Sequence, residues 1–292
     1  MQTISFQPPE GHHEGAGSLY QDYIAAWIMS RALGIGYGHI RPEYVHHAES
    51  DPEYVEKWEQ MFGFLAATSV RSGFPVVSLE VQKPISPNLS YVLSSAKRFV
   101  DLNRPKFERV KNDLRQNFFQ YVKYSPKKVL WDSSKKFKIA LHLRNANRND
   151  EVLPYSLPWE LFTYNYGPNQ NHQFYSRYYS TILNKIKDEL GHENVDIHVF
   201  SQGDAKDFEE IVATGATLHL DEVDALDSFW HFVHADVLVM AKSSFSYLAC
   251  LLNPNVKIIR NCFRHYLPSE VAIVDDDFNG TMHQKLREIS GK

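Results

Sequence analysis

Apolar residues recur three and four positions apart over residues 20–33: Tyr23, Ile24, Trp27, Ile28, then Ala32 and Leu33. That spacing places them on one side of a helix and predicts a single buried stripe. Gly34, Gly36 and Gly38 end the pattern and turn the chain. Residues 54–64 keep the same amphipathic period and predict a second helix, while the β-branched run 75–81 predicts a short strand. The charged stretch 91–122 is expected to be helical, with a break near Pro105.

Beyond the polar run at 133–136 the period changes from helical to alternating. Over 136–144 the alternation of Phe137, Ile139, Leu141 and Leu143 predicts a strand. Helices are then expected at 174–190, 204–213, 225–234, 243–252 and 283–289, with strands at 195–200, 217–220, 236–241 and 256–260 between them. Strand and helix in alternation imply an α/β fold whose sheet is parallel with crossover helices, a Rossmann-like domain. The run 133–136 is the expected linker, dividing the chain into an N-terminal domain, 1–132, and a C-terminal domain, 133–292. Ligands of open parallel sheets bind beyond the carboxyl ends of the strands. The polar turns 145–150, 201–204 and 242–246, each following a strand, are therefore expected to converge on one cleft.

Composition narrows the function classes. The 292 residues are 43% hydrophobic, enough for a large core, which excludes a disordered chain. With 31 basic against 35 acidic residues, binding to nucleic acid is not expected as the main function. Two cysteines, Cys250 and Cys262, make neither a disulfide framework nor a cysteine zinc site. The first residues carry no basic stretch followed by an apolar core, and no apolar run approaches the roughly 20 residues that span a bilayer. The expectation is a cytoplasmic protein without a membrane span. The sequence leaves its oligomeric state open.

Three groups of residues could carry chemistry. His142 and Arg144, two apart on a strand, share a face, and Arg148 and Asp150 follow in the loop. An arginine fork suits phosphate oxygens, although Arg144 could equally pair with Asp150 or Glu151. Ser243, Ser244, Phe245 and Ser246 lie between a strand and a helix, where hydroxyls and free amides meet an anion, or where one serine simply caps the helix. His12, His13, Glu14, Gly15, Ala16 and Gly17 precede the first helix. Glycines permit close approach of a ligand and Glu14 could act as a base, while a solvated terminal loop is the plainer alternative.

Other chemistries lack their signatures. The 14 histidines show no zinc-binding spacing, and there is no P-loop, no G-x-G-x-x-G after a strand and no nucleophile elbow. The aromatic residues Phe174, Tyr175, Tyr178 and Tyr179, and likewise Trp58, Phe62 and Phe64, have spacings that suit a core as well as a ligand stack.

In chain order, H-E-G-A-G-S at 13–18, H-L-R at 142–144, V-F-S-Q-G-D at 199–204 and H-A-D-V-L-V-M-A-K-S-S-F-S at 234–246 resemble the fucosyltransferase superfamily. That group holds α-1,2-, α-1,6- and protein O-fucosyltransferases. The resemblance covers the C-terminal half and one N-terminal loop and leaves about 40–130 unmatched. It implies a GT-B-like fold, with two Rossmann-like domains facing a cleft, and inverting sugar transfer that needs no metal or other cofactor. On that resemblance Arg144 stabilises the leaving diphosphate, with His142 and Arg148 beside it. Asp236 contacts the base or ribose, and Ser243, Ser244, Phe245 and Ser246 hold the diphosphate. Ser201 and Asp204 form the acidic turn, Gly15 and Gly17 line the donor, and Glu14 is the base.

The family commonly places a second arginine directly after H-x-R, whereas Asn145, Ala146 and Asn147 precede Arg148 here. The donor is thus GDP-fucose or another GDP- or UDP-linked sugar such as UDP-xylose. Breaking a glycosyl–phosphate bond leaves a dianion that arginines and oriented amides must meet, while a carboxylate or histidine takes the proton of the attacking hydroxyl. Glu14 is the first candidate for that base, with His13 and Asp150 behind it. The expected function is transfer of fucose or a related sugar from a nucleotide-sugar donor to a glycan acceptor. The alternatives are the same fold with another donor, or a non-catalytic glycan- or nucleotide-binding module.

Overall fold

The computed structural model describes residues 3–8, 15–45, 52–67, 76–79, 90–93, 96, 98–143, 172–220, 222–241, 243–260, 267–274 and 281–291. The chain forms two units. The first comprises Met1–Ser125, Tyr247–Pro254 and His265–Pro268, and the second Pro126–Ser246, Asn255–Arg264 and Ser269–Lys292. The chain thus passes to the second unit at Pro126, seven residues before the expected linker. Residues between them belong to the second unit by their bonds: Lys127 Nζ pairs with Asp224 at 2.9 Å, and the Leu130 amide donates to His231 Nε2 at 3.1 Å.

The first unit contains β1 (Thr3–Phe6), α1 (Ala16–Leu33), β2 (Gly36–Tyr37), α2 (Pro52–Met61), α3 (Gly63–Ala67), β3 (Val76–Leu79), β4 (Ser90–Leu93), α4 (Arg98–Leu102) and α5 (Arg104–Tyr121). Its sheet has the order β2-β1-β4-β3, with every pair parallel. Helix α1 packs on β1 and against α3, α4 and α5. The expectation of a single buried stripe is corrected here: from Ala16 to Ser30 every residue except Ser18 is buried. Its polar members survive burial because they are bonded. The Asp22 carboxylate accepts from the Ala96 amide, and Ser30 Oγ donates to the Trp27 carbonyl at 2.7 Å. Gly34 closes the helix in the left-handed region (φ 68°), its amide returning to the Arg31 carbonyl at 3.2 Å.

Residues 90–93 are a strand rather than the start of a helix, and the helical stretch is interrupted at Asn103, whose carbonyl receives the Lys106 and Phe107 amides. Trp58, Phe62 and Phe64 are buried core.

The second unit carries β5 (Phe137–His142), α6 (His172–Leu190), β6 (Val195–Phe200), α7 (Glu209–Val212), β7 (Thr217–His219), α8 (Ala225–His234), β8 (Val237–Val239), α9 (Ser244–Leu252), β9 (Val256–Arg260), β10 (Val271–Val274) and α10 (Met282–Ser290). The first three residues of α9 belong to this unit. Its six strands run in the order β10-β9-β8-β5-β6-β7, again all parallel. The alternation read in the sequence decides which face is core. Phe137, Ile139 and Leu141 of β5 and Val195, Ile197 and Val199 of β6 join Tyr178, Tyr179, Ile182, Leu183 and Ile186 of α6 in one cluster. The intervening Ala140, His142, Asp196, His198 and Phe200 face the other side. Asp224 caps α8, its side chain accepting from the Asp227 amide at 2.8 Å. Among the described residues no helix is long and apolar enough to cross a membrane.

Candidate functional site

In the second sheet the chain runs outward from β5 through β6 to β7, then returns to the other side of β5 with β8, β9 and β10. The order therefore reverses between β5 and β8, and beyond the carboxyl ends of those two strands lies the crevice where α/β sheets take their ligands. His142 is the last residue of β5, and the turn leaving β8 leads into α9. Across that reversal His142 Nδ1 shares a short hydrogen bond with Ser246 Oγ. The imidazole lies on Phe232 of α8 (centroids 5.2 Å apart) and meets the edge of Phe245 at 5.7 Å. One bond and two ring contacts thus fix its orientation.

The serines that looked alike in sequence have different roles. Ser243 Oγ accepts from the Phe245 amide at 3.2 Å, so Ser243 caps α9. Ser246 is fully buried and its hydroxyl is engaged with His142. Ser244 and Phe245 are half-buried at the helix start, where backbone amides point out of the first turn. Just beyond β6, Ser201 Oγ donates to the Leu143 carbonyl at 2.8 Å, and the Ser201 amide donates to the His219 carbonyl at 2.9 Å. Ser201 thereby ties the ends of β5, β6 and β7 together. His142, Ser201, Ser243, Ser244, Phe245 and Ser246 are all brought to the carboxyl end of this sheet. Asp204 lies in the exposed turn after β6, paired with Lys206 at 2.9 Å.

Asp236 is not among them. It precedes β8, where its carboxylate accepts from the Lys138 amide at 2.8 Å and its own amide donates to the Lys138 carbonyl at 2.9 Å. Those bonds hold it at the amino end of the sheet, so the expectation that it meets the nucleotide at the site is corrected. In the first unit Gly15 caps α1, its carbonyl accepting from Ser18 and Leu19, and Gly17 is buried in the first turn. The expectations for His13, Glu14, Arg144, Arg148, Asp150 and Lys242 fall outside the described residues. No group of three or more His, Cys, Asp or Glu among the described residues is arranged to hold a metal.

Two arrangements escaped the sequence. Phe229 and Phe232, on the apolar stripe of α8, contact Phe245, and Phe232 also contacts His142. The helical spacing announced that stripe without saying what lay on it. In the first unit Glu59 of α2 accepts from Tyr20 Oη and from His39 Nε2, both at 2.8 Å, and Tyr37 Oη lies 3.3 Å from His39 Nδ1. Nothing in the spacing of residues 20, 37, 39 and 59 announces that cluster.

No family model matches the chain, and no curated protein matches its sequence. Among solved structures it is similar to NodZ alpha-1,6-fucosyltransferase soaked with GDP-fucose, at 10% identity and a TM-score of 0.40 over 87% of this chain and 94% of that one. It is also similar to the E. coli heptosyltransferase WaaC with ADP-2-deoxy-2-fluoro heptose, at 11% identity and a TM-score of 0.41 over 100% and 98%. POFUT1 in complex with GDP-fucose follows at 15% identity and 0.30 over 93% and 73%.

Proposed function

We propose that the chain is a glycosyltransferase that moves fucose or a related sugar from a nucleotide diphosphate sugar to a glycan hydroxyl, with inversion and without a metal, in the cytoplasm. The observation that carries this reading is the bond between His142 and Ser246 across the strand reversal. It sets a polar side chain and the amino end of α9 at the position where an open parallel sheet receives a nucleotide. Arg144 follows two residues beyond His142 in the sequence, and Arg148 four beyond that. On this proposal the two guanidinium groups and the α9 amides meet the diphosphate as it leaves. Ser246 acts as a positioning residue for His142, Ser244 and Phe245 border the phosphates, and Glu14 takes the proton of the acceptor hydroxyl. The three residues between Arg144 and Arg148 keep the donor base open between guanine and uracil.

A thermal-shift series with GDP, UDP and their sugar conjugates tests this, run first without metal and then with Mg²⁺ or Mn²⁺. A ligand at 100 times its Kd adds about 2.7 kcal/mol to the folded state, a readily measured shift. Stabilisation by one nucleotide without metal is expected. Arg144→Ala should abolish turnover while leaving the unliganded melting curve in place. A chain that responds to no nucleotide under either condition is not a nucleotide-sugar transferase, and one that binds but turns over no acceptor is a binding module.

A further inference from the structure

A second cluster lies along the face of β6 and β7 that carries Asp196 and His198. His198 Nε2 is 3.1 Å from Asp196 Oδ1, His198 Nδ1 is 2.7 Å from His219 Nε2, and His219 Nδ1 is 3.2 Å from Glu222 Oε1. The two imidazoles have parallel planes (2°) with centroids 5.0 Å apart. With nitrogens only 2.7 Å apart, the rings must lie end to end in one plane, in line for a hydrogen bond rather than face to face. Trp131 meets the edge of His198 at 5.1 Å, and Phe200 lies against His219 at 5.2 Å.

The chain of contacts can be counted in protons. A carboxylate oxygen only accepts, so His198 Nε2 and His219 Nδ1 must each carry a hydrogen, and the contact between the rings needs one more. Three hydrogens on two imidazoles means one neutral ring and one cation. With both rings neutral, two hydrogens serve three contacts, and as long as the 2.7 Å bond between the rings is kept, one carboxylate faces a lone pair. The contact that yields is the one to Glu222, whose side chain is 58% exposed, whereas Asp196 is held by the Asp132 amide. With both rings charged, two N–H groups face each other and the link between the strands is lost.

We propose that His198 and His219 form a one-proton latch. It is closed when the pair carries a single positive charge, released at Glu222 when the pair is neutral, and broken between the rings when both are charged.

The surroundings fit a pair that accepts one proton and refuses a second. Burial pushes both imidazoles below the ordinary histidine range, and the charge of His198 lowers His219 further, while Asp196 and Glu222 oppose this. His231 and His234 face the pair's side of the sheet from α8, Lys128 acts on His219 from the 126–136 segment, and Lys138 of β5 stands opposite Asp196. The latch sits on the edge strand, which has three residues. Glu222 Oε2 also accepts from the Leu220 amide at 2.9 Å, and the His219 carbonyl receives the Ser201 amide. Closing it therefore fixes the β7 end and the turn into α8 beside the carboxyl-end residues described above. The latch does not depend on what that end binds.

Side-chain ¹⁵N–¹H spectra of the intact chain, followed from about pH 8 to about pH 5, read the tautomer and charge of each imidazole. The expected result is uptake of one proton shared by His198 and His219, both rings shifting with a common midpoint. Glu222→Gln, an exposed and conservative change, should lower the proton affinity of the pair about two- to fivefold. Independent titration of the two rings overturns the latch. So does a pair that stays neutral throughout, a pair that takes two protons with the fold intact, or a midpoint indifferent to Glu222→Gln.

Discussion

The two units each hold a polar network on a parallel sheet, and the networks differ in how they respond to a proton. In the first, His39 is bonded to Glu59 through Nε2 and to Tyr37 through Nδ1, with its side chain 6% exposed and that of Glu59 14%. A neutral His39 accepts the Tyr37 hydrogen at Nδ1, whereas a charged one donates to the Tyr37 oxygen. Both states keep every contact, because a hydroxyl can reverse its role. In the second, His198 and His219 stand between two carboxylates, which cannot reverse. A histidine network ending in hydroxyl groups tolerates either charge, and one ending in carboxylates selects a single count. The distinction comes from the partners of the rings, not from their burial.

The largest effect that would break this comparison is at Glu59. Glu59→Leu keeps the volume and leaves Tyr20 Oη and His39 Nε2 as buried donors without an acceptor. At roughly 1–3 kcal/mol for each orphaned group, a loss of about 2–6 kcal/mol is expected in urea unfolding. Tyr20→Phe removes one donor and should cost clearly less. A Glu59→Leu protein within about 1 kcal/mol of the parent would show that the first network contributes nothing to folding.

The next effect separates His231 from the latch. Burial lowers this imidazole from 6.5 to about 4, partly offset by its bond to the Asp227 carbonyl. His231 Nδ1 donates to that carbonyl at 2.7 Å and Nε2 accepts from the Leu130 amide, so only the neutral ring satisfies both. Between pH 6.5 and about 4 the unfolded chain therefore binds a proton that the folded chain refuses. Stability attributable to this ring is present above pH 6.5 and is lost as the pH falls toward 4, by about 3 kcal/mol in all. His231→Phe should cost stability near neutral pH through the lost Leu130 bond, yet flatten the melting temperature across that acid window. An unchanged slope in the variant would assign the acid sensitivity elsewhere.

How far such features were legible follows from their range along the chain. The strands β5 and β6 and helix α8 could be placed from the sequence because period and cap are local: Phe137, Ile139 and Leu141 alternate, and Asp224 stands three residues before the amide it caps. β1 was missed, because four strand residues in a polar, proline-bearing terminus give no period to count. β10, four residues long, was missed as well. Residues 91–93, inside the stretch whose pattern reads as helix, form a strand because their partners β1 and β3 lie elsewhere in the sequence. At the site, His142 and the serine turn could be found as strand ends. The Ser243 cap, whose partner is two residues on, is among the alternatives the sequence offers, but that Ser246 holds a ring and Asp236 ties the opposite end is not, since each depends on a partner fixed only by the sheet order.

The smallest effect sharpens the comparison from inside the first network. Tyr23 is fully buried against Phe6, with its ring 5.2 Å from that of His39, and its hydroxyl has no hydrogen-bond partner among the described residues. Burial pushes that phenol well above its ordinary range, and the charge of Glu59 adds to the effect. A network that already closes through Tyr20, Glu59, His39 and Tyr37 has no use for this hydroxyl, which loses its hydration on folding and gains nothing. Tyr23→Phe should therefore stabilise the protein by about 1 kcal/mol, read as a raised urea midpoint with an unchanged slope. A loss of similar size would instead mean that the hydroxyl reaches Glu59 through a bound water. The first network would then end in one more reversible group, widening its difference from the carboxylate-ended pair of the second unit.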